Sequence, residues 1–128
     1  MTYQKEKSFV KGRLKSIGIA AKGARHLIMT EHSIISQLVI AFLVTLAGFY
    51  FQISSTEWMF QVFAIGLVLS IEGMNTALEK FLDLVHPEEH AVVGKIKDIA
   101  AGAVLFAGIA AGIIGCFIYI PYLKESFF

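Results

Sequence analysis

Apolar residues fall in three blocks, each near or above the roughly 20 residues needed to cross a bilayer. The first, residues 34–51, reads IISQLVIAFLVTLAGFYF and is broken only by Ser36, Gln37 and Thr45. The second, residues 58–85, starts at Trp58, reads as apolar to Ile71 and continues with helical spacing to Val85. The third, residues 99–123, contains no charge. QISSTE separates the first two blocks and is too short for anything but a tight helical hairpin. HPEEHAVVGKIKD separates the second and third, with Pro87 and Gly94 as punctuation.

Residues 8–30 differ. Val10, Leu14, Ile17, Ala21, Ala24 and Ile28 recur at helical steps, with Lys11, Lys15, Lys22 and Arg25 on a flank. This suits a helix lying in the membrane surface, apolar side down, or an amphipathic helix packed on the bundle. It is not a signal peptide, because its positive charges run through the segment. The prediction is an all-α integral membrane protein, a single domain over residues 1–128 with one surface helix and three membrane helices.

Composition agrees: 56% of the 128 residues are hydrophobic and only 16% charged. A net charge of +1 gives no positive field for nucleic acid. The lone Cys116 allows no disulfide within the chain and reads as a lipid-embedded thiol. Lys5, Lys7, Lys11, Arg13, Lys15, Lys22 and Arg25 precede the first span, and Lys80, Lys95 and Lys97 flank the loop after the second. Three crossings put both groups on one side, which the positive-inside rule makes cytoplasmic. The expected location is the bacterial cytoplasmic (inner) membrane.

The candidate chemistry lies in IEGMNTALEKFLD. Glu72, Asn75, Glu79 and Asp83 keep within about 60° of one helix face. With Trp58 at the outer interface, a rise of about 1.5 Å per residue puts Glu72 roughly 21 Å in, Asn75 about 25 Å, Glu79 about 31 Å and Asp83 about 37 Å. The row therefore starts inside a hydrocarbon core of about 30 Å and ends in water. Such a row could hold a lipid head group at its buried end and a soluble reactant at its exposed end. A solvated helix end explains Asp83 but not Glu72, since an intramembrane acid is costly unless partnered or functional. Glu31 lies at the depth of Glu79, and two carboxylates there suit a hard divalent cation completed by nucleotide phosphates. Lys97 and Asp98 add a phosphate-binding cation and a further polar group. His86 and His90 read as loop residues because Pro87 breaks the helix that would align them; His26 and His32 flank the interface near Glu31.

The pattern E-x-x-N-x-x-x-E-x-x-x-D, then G-x-x-K-D and a small-residue-rich last helix, resembles the prokaryotic diacylglycerol kinases, with which the undecaprenol kinases are grouped. Here it is Glu72, Asn75, Glu79, Asp83, Gly94, Lys97 and Asp98, with Glu31 closing KGARHLIMTE. The resemblance implies a homotrimeric lipid kinase with active sites between subunits. It makes Glu72 the general base on the lipid hydroxyl and has Glu79 and Glu31 hold Mg²⁺. It has Asn75, Asp83, Lys97 and Asp98 organise ATP, with Glu79 also at the nucleotide and Asn75 also near the lipid. Diacylglycerol is the first expected acceptor and undecaprenol the alternative. Two positions depart from the pattern: Gln37 stands where relatives carry an acid, and Arg13 is offset from their N-terminal arginine.

Neither GxxxxGKS/T nor a kinase-type GxGxxG is present, so the nucleotide would sit on helices. Gly108 and Gly112 form a GxxxG that permits close helix approach. The reading from another class is a small oligomeric transporter with Glu72 as an intramembrane carrier. It has no use for the polar set beyond Glu72.

Overall fold

The computed structural model describes residues 9–127, all helical apart from short joints. The order is α1 (Phe9–Thr30), α2 (His32–Phe51), α3 (Ser55–Val85) and α4 (Ala91–Phe127). Lys5, Lys7 and Ser8 of the sequence reading lie outside the described residues. Antiparallel α3 and α4 make the most extensive contact, α2 packs on α3, and α1 meets the start of α2. Leu27 of α1 also reaches α3, its side chain standing 3.2 Å from where a Cβ on Gly73 would be.

The three later helices are long and apolar enough to cross a membrane. At about 1.5 Å per residue, the 31 residues of α3 span roughly 46 Å and so overrun a hydrocarbon core of about 30 Å. The excess carries the polar row out of the apolar zone. Burial within the chain is sparse: among the described residues the buried apolar ones are Ile34, Ile53, Ala64, Ala107 and Ile118, while Phe42, Phe49, Phe106 and Phe117 stand exposed. Such surfaces belong against lipid or protein rather than water.

The α2–α3 turn is built by local chemistry. Gln52 takes a left-handed conformation (φ 51°, ψ 50°), and the Ile53 amide donates back to the Gly48 carbonyl at 3.1 Å, which closes α2. The Ser54 hydroxyl accepts from the Glu57 amide and the Glu57 carboxylate accepts from the Ser54 amide, a capping box that starts α3. Gly48 is required here, since a Cβ would lie 2.7 Å from the Trp58 ring. Trp58 packs on this α2 wall beside Phe49, with ring centroids 4.9 Å apart.

Two points differ from the sequence reading. Gly94 does not punctuate the second loop; it lies inside α4, and its amide donates to the His90 carbonyl at 2.9 Å. The His90 ring supplies the missing cap, its Nδ1 accepting from the Val92 amide at 3.2 Å. The second span is also not apolar throughout. Gln61 is only 4% exposed, its Nε2 donating to the Val44 carbonyl at 3.2 Å. The Tyr119 hydroxyl of α4 donates either to that carbonyl at 2.8 Å or to Gln61 Oε1, and so joins α2, α3 and α4. Nearby the Tyr122 hydroxyl donates to Glu57 at 2.8 Å.

Candidate active site

The helical phase of α3 places Glu72, Asn75, Glu79 and Asp83 in one row, and their burial falls along it. Glu72 is 7% exposed, Asn75 and Glu79 are half-buried, and Asp83 is exposed. Thr76, 5% exposed, belongs to the same stretch. Among the described residues the Glu72 side chain has no hydrogen-bond or ion-pair partner. A carboxylate placed so deep without a partner is available to an incoming one.

Further along the row the groups are paired. Asn75 Nδ2 donates to Glu79 Oε1 at 3.3 Å, while Asn75 Oδ1 is buried and unpartnered. Lys97 of α4 forms an ion pair with Asp83, tying the two helices together at this end. Glu31, in the joint between α1 and α2, accepts from Lys80 Nζ at 2.8 Å and from the Thr30 hydroxyl at 3.0 Å. The Lys80 hydrogen bond, helped by Thr30, holds the Glu31 carboxyl below its ordinary value. Glu31 thus reaches α3 through Lys80, the neighbour of Glu79. Asp98 is exposed and makes no side-chain hydrogen bond among the described residues.

The donors fit a hard divalent cation in kind. Asn75 Oδ1 is an orphaned oxygen on the residue bonded to the Glu79 carboxylate, and magnesium takes one or two carboxylates with phosphates and water completing the shell. Among the described residues no group of three or more His, Cys, Asp or Glu side chains forms a metal cage. Such a cage is not needed where phosphates supply ligands.

Beyond Asp83, the α3–α4 loop borders an open pocket of about 560 Å³, lined in part by Asp83, His86, Glu88, His90, Gly94 and Lys97. His86 Nδ1 meets the Glu88 carbonyl at 3.0 Å and the two imidazoles lie 5.1 Å apart, so Pro87 turns the chain without separating them. His26 and His32 are exposed. Sequence reasoning missed Lys80, Thr76 and Gln61. Thr76 and Gln61 could have been found by extending the helical phase of Glu72 in both directions. Lys80 lies outside that phase, and only the bend at Glu31 reveals its partner.

Three apolar helices, with a polar row at the end of one and cationic support from its neighbour, define a membrane protein with its polar groups gathered at one end of the bundle. The chain belongs to the prokaryotic diacylglycerol kinase family, whose model matches residues 18–119. It is 35% identical over 109 residues to the undecaprenol kinase of Bacillus subtilis, covering 85% of this chain and 89% of that one. It is 27% identical over 103 residues to the diacylglycerol kinase of Escherichia coli, covering 80% and 84%. A shorter match, 48% over 58 residues, links it to the diacylglycerol kinase of Synechocystis, covering 44% and 33%.

Proposed function

We propose that the protein transfers the γ-phosphate of ATP to the hydroxyl of a membrane lipid. The observation that carries this is the buried, unpartnered Glu72 at the head of a row that ends in the Asp83–Lys97 pair, in a chain of this family. Glu72 is the general base: it takes the proton from the lipid hydroxyl as that oxygen bonds to the γ-phosphorus, and ADP leaves with the electron pair of the broken bond to the β–γ bridging oxygen. Asn75, Asp83, Lys97 and Asp98 orient the nucleotide, Lys97 contributing positive charge where phosphate charge must be offset. Glu79 with Asn75, and Glu31 on release from Lys80, would hold Mg²⁺. An ion held there would neutralise charge on the phosphate oxygens during transfer.

Diacylglycerol and undecaprenol are the two acceptors to test. Undecaprenol is favoured by the 35% identity to the Bacillus subtilis undecaprenol kinase over most of both chains. A transporter built on Glu72 gives the Asp83–Lys97 pair and the loop chamber no role. On this reading α1 lies in the membrane surface, its apolar Val10, Leu14 and Ile17 being exposed in the single chain. The active site and N-terminus then face the cytoplasm, and three copies share sites between them.

The test is transfer of labelled γ-phosphate from Mg-ATP by purified protein in mixed micelles, with diacylglycerol and undecaprenol offered separately. Labelled lipid supports the proposal and names the acceptor. A folded oligomer that labels neither lipid sinks both acceptors and brings the transporter forward.

A further inference from the structure

Side-chain polar contacts join α3 to α4 at the two ends of the pair. At the end far from the polar row, the Tyr119 hydroxyl of α4 meets Gln61 of α3, and both reach the Val44 carbonyl of α2. One turn beyond, Tyr122 donates to Glu57 at 2.8 Å. At the opposite end Lys97 pairs with Asp83. Gln61 and Asp83 are 22 residues apart on α3, and Lys97 and Tyr119 are 22 apart on α4. At about 100° and 1.5 Å per residue, each interval returns to within roughly 40° of its starting direction and rises roughly 33 Å. Both helices therefore present their two groups on one face at the same separation. A single rotation of α4 about its axis satisfies both ends or neither.

What lies between the two ends does little to hold that rotation. Gly102, Gly108, Gly112 and Gly115 fall between Lys97 and Tyr119, and a Cβ added at any of them would meet nothing within 4 Å among the described residues. At these positions α4 offers no ridge to seat in a groove of α3. Apolar helix faces in a bilayer gain little by choosing each other over lipid, which leaves close packing and hydrogen bonds to specify the match. The loop between α3 and α4, residues 86–90, limits sliding of one helix along the other but leaves turning about the axis free. The two polar ends are also unequal. Asp83 is exposed, and an exposed ion pair contributes little. Gln61 is buried in a helix long and apolar enough to cross a membrane, where an amide turned from its partners finds no water to replace them.

We propose that the clasp of Gln61, Tyr119 and the Val44 carbonyl, extended by Tyr122 and Glu57, sets the rotation of α4 and so holds Lys97 toward Asp83 roughly 33 Å away. Gln61 and Tyr119 are positioning residues that act through Lys97. The consequence for the reaction rests on the reading of Lys97 as the cation that faces nucleotide phosphate. Turning α4 by one residue position, about 100°, would bring Ile96 or Asp98 to the place of Lys97, an apolar group or another acid in place of the cation.

The test removes the clasp with Gln61→Leu/Tyr119→Phe/Tyr122→Phe, which keeps side-chain size and takes away both partners of the buried contact, so that no side-chain amide or hydroxyl there is left unpaired. Rotation is read by crosslinking the full-length protein in detergent, in a Cys116→Ser background. Asp83→Cys is combined in turn with Ile96→Cys, Lys97→Cys or Asp98→Cys and treated with a short bismaleimide, and bridges within a chain are told from bridges between copies by mass. With the clasp intact, bridging is expected to favour position 97; without it, bridging is expected to spread over all three. In chains that keep Asp83 and Lys97, loss of the clasp is expected to weaken binding of the β,γ-imido analogue of Mg-ATP on the order of tenfold, and to weaken it no further in a Lys97→Met background. Tyr119→Phe alone, which loses only a hydroxyl, is read in the same way should the triple variant not fold. Bridging that stays at position 97 without the clasp overturns the proposal, as does an equal loss of nucleotide affinity with and without Lys97. A wild type that binds no nucleotide while its bridging shifts as expected upholds the clasp and defeats the nucleotide reading of Lys97 instead.

Discussion

Glu72 is the residue whose surroundings most restrict its role. Among the described residues it is buried without a partner, so Glu72→Gln keeps the shape and removes only the proton acceptor. Lipid phosphorylation by this variant is expected to fall at least 10²-fold while ATP still binds; single-turnover assays beside nucleotide titration check both, and wild-type turnover would remove Glu72 as the base. Glu31 gives a pH prediction. Its folded-state carboxyl is held below the ordinary value of 4.5 by Lys80. The stabilisation it lends is therefore present above that value and is lost as pH falls through the lower folded one. Thermal unfolding between about pH 6 and pH 3 is expected to lose less stability in Lys80→Met than in wild type, because the variant has no pair to lose.

At the scale of elements, the α2–α3 turn is the stiffest joint. Its capping box, left-handed Gln52 and Trp58 seated on Gly48 all specify the same bend. Ser54→Ala is expected to cost about 1 kcal/mol. Gly48→Ala is expected to cost about 1–3 kcal/mol, because the Trp58 ring must shift. Denaturant unfolding in detergent measures both, and neither change should alter the polar row at the other end. The α3–α4 loop is held by fewer groups, chiefly the His90 cap and the Asp83–Lys97 pair. If, as proposed, this end admits a nucleotide, such light constraint suits it.

As a whole the single chain is under-packed. Among the described residues the buried apolar set is five small or medium residues, and large apolar side chains cover the outside of every helix. Sites shared between copies, as proposed, would give these apolar surfaces a protein partner. Inactive Glu31→Gln and Glu72→Gln chains, mixed and reassembled, are expected to recover part of the wild-type turnover. No recovery across mixing ratios, with mixed oligomers shown by mass, would place each site within one chain.

The sequence by itself determined the all-helical membrane class, the three apolar spans and the single-file placement of Glu72, Asn75, Glu79 and Asp83. Each follows from apolar run length or from the fixed 100° helical step, and neither depends on what packs nearby. The hairpin at Gln52–Ser54 was legible for the same reason, while the start of α4 was not, because a histidine cap has no strong sequence signal. Only the tertiary structure decided that Lys80 answers Glu31, that Lys97 answers Asp83 across fourteen residues, and that Gln61 meets Tyr119 across fifty-eight. Those pairings depend on how helices are rotated and offset against each other, which periodicity within one helix leaves free. The pocket between α2, α3 and α4 belongs to the same class of fact, for it exists only where Gly108, Gly112 and Gly115 of α4 come to face Gln61, Ala64 and Val68 of α3.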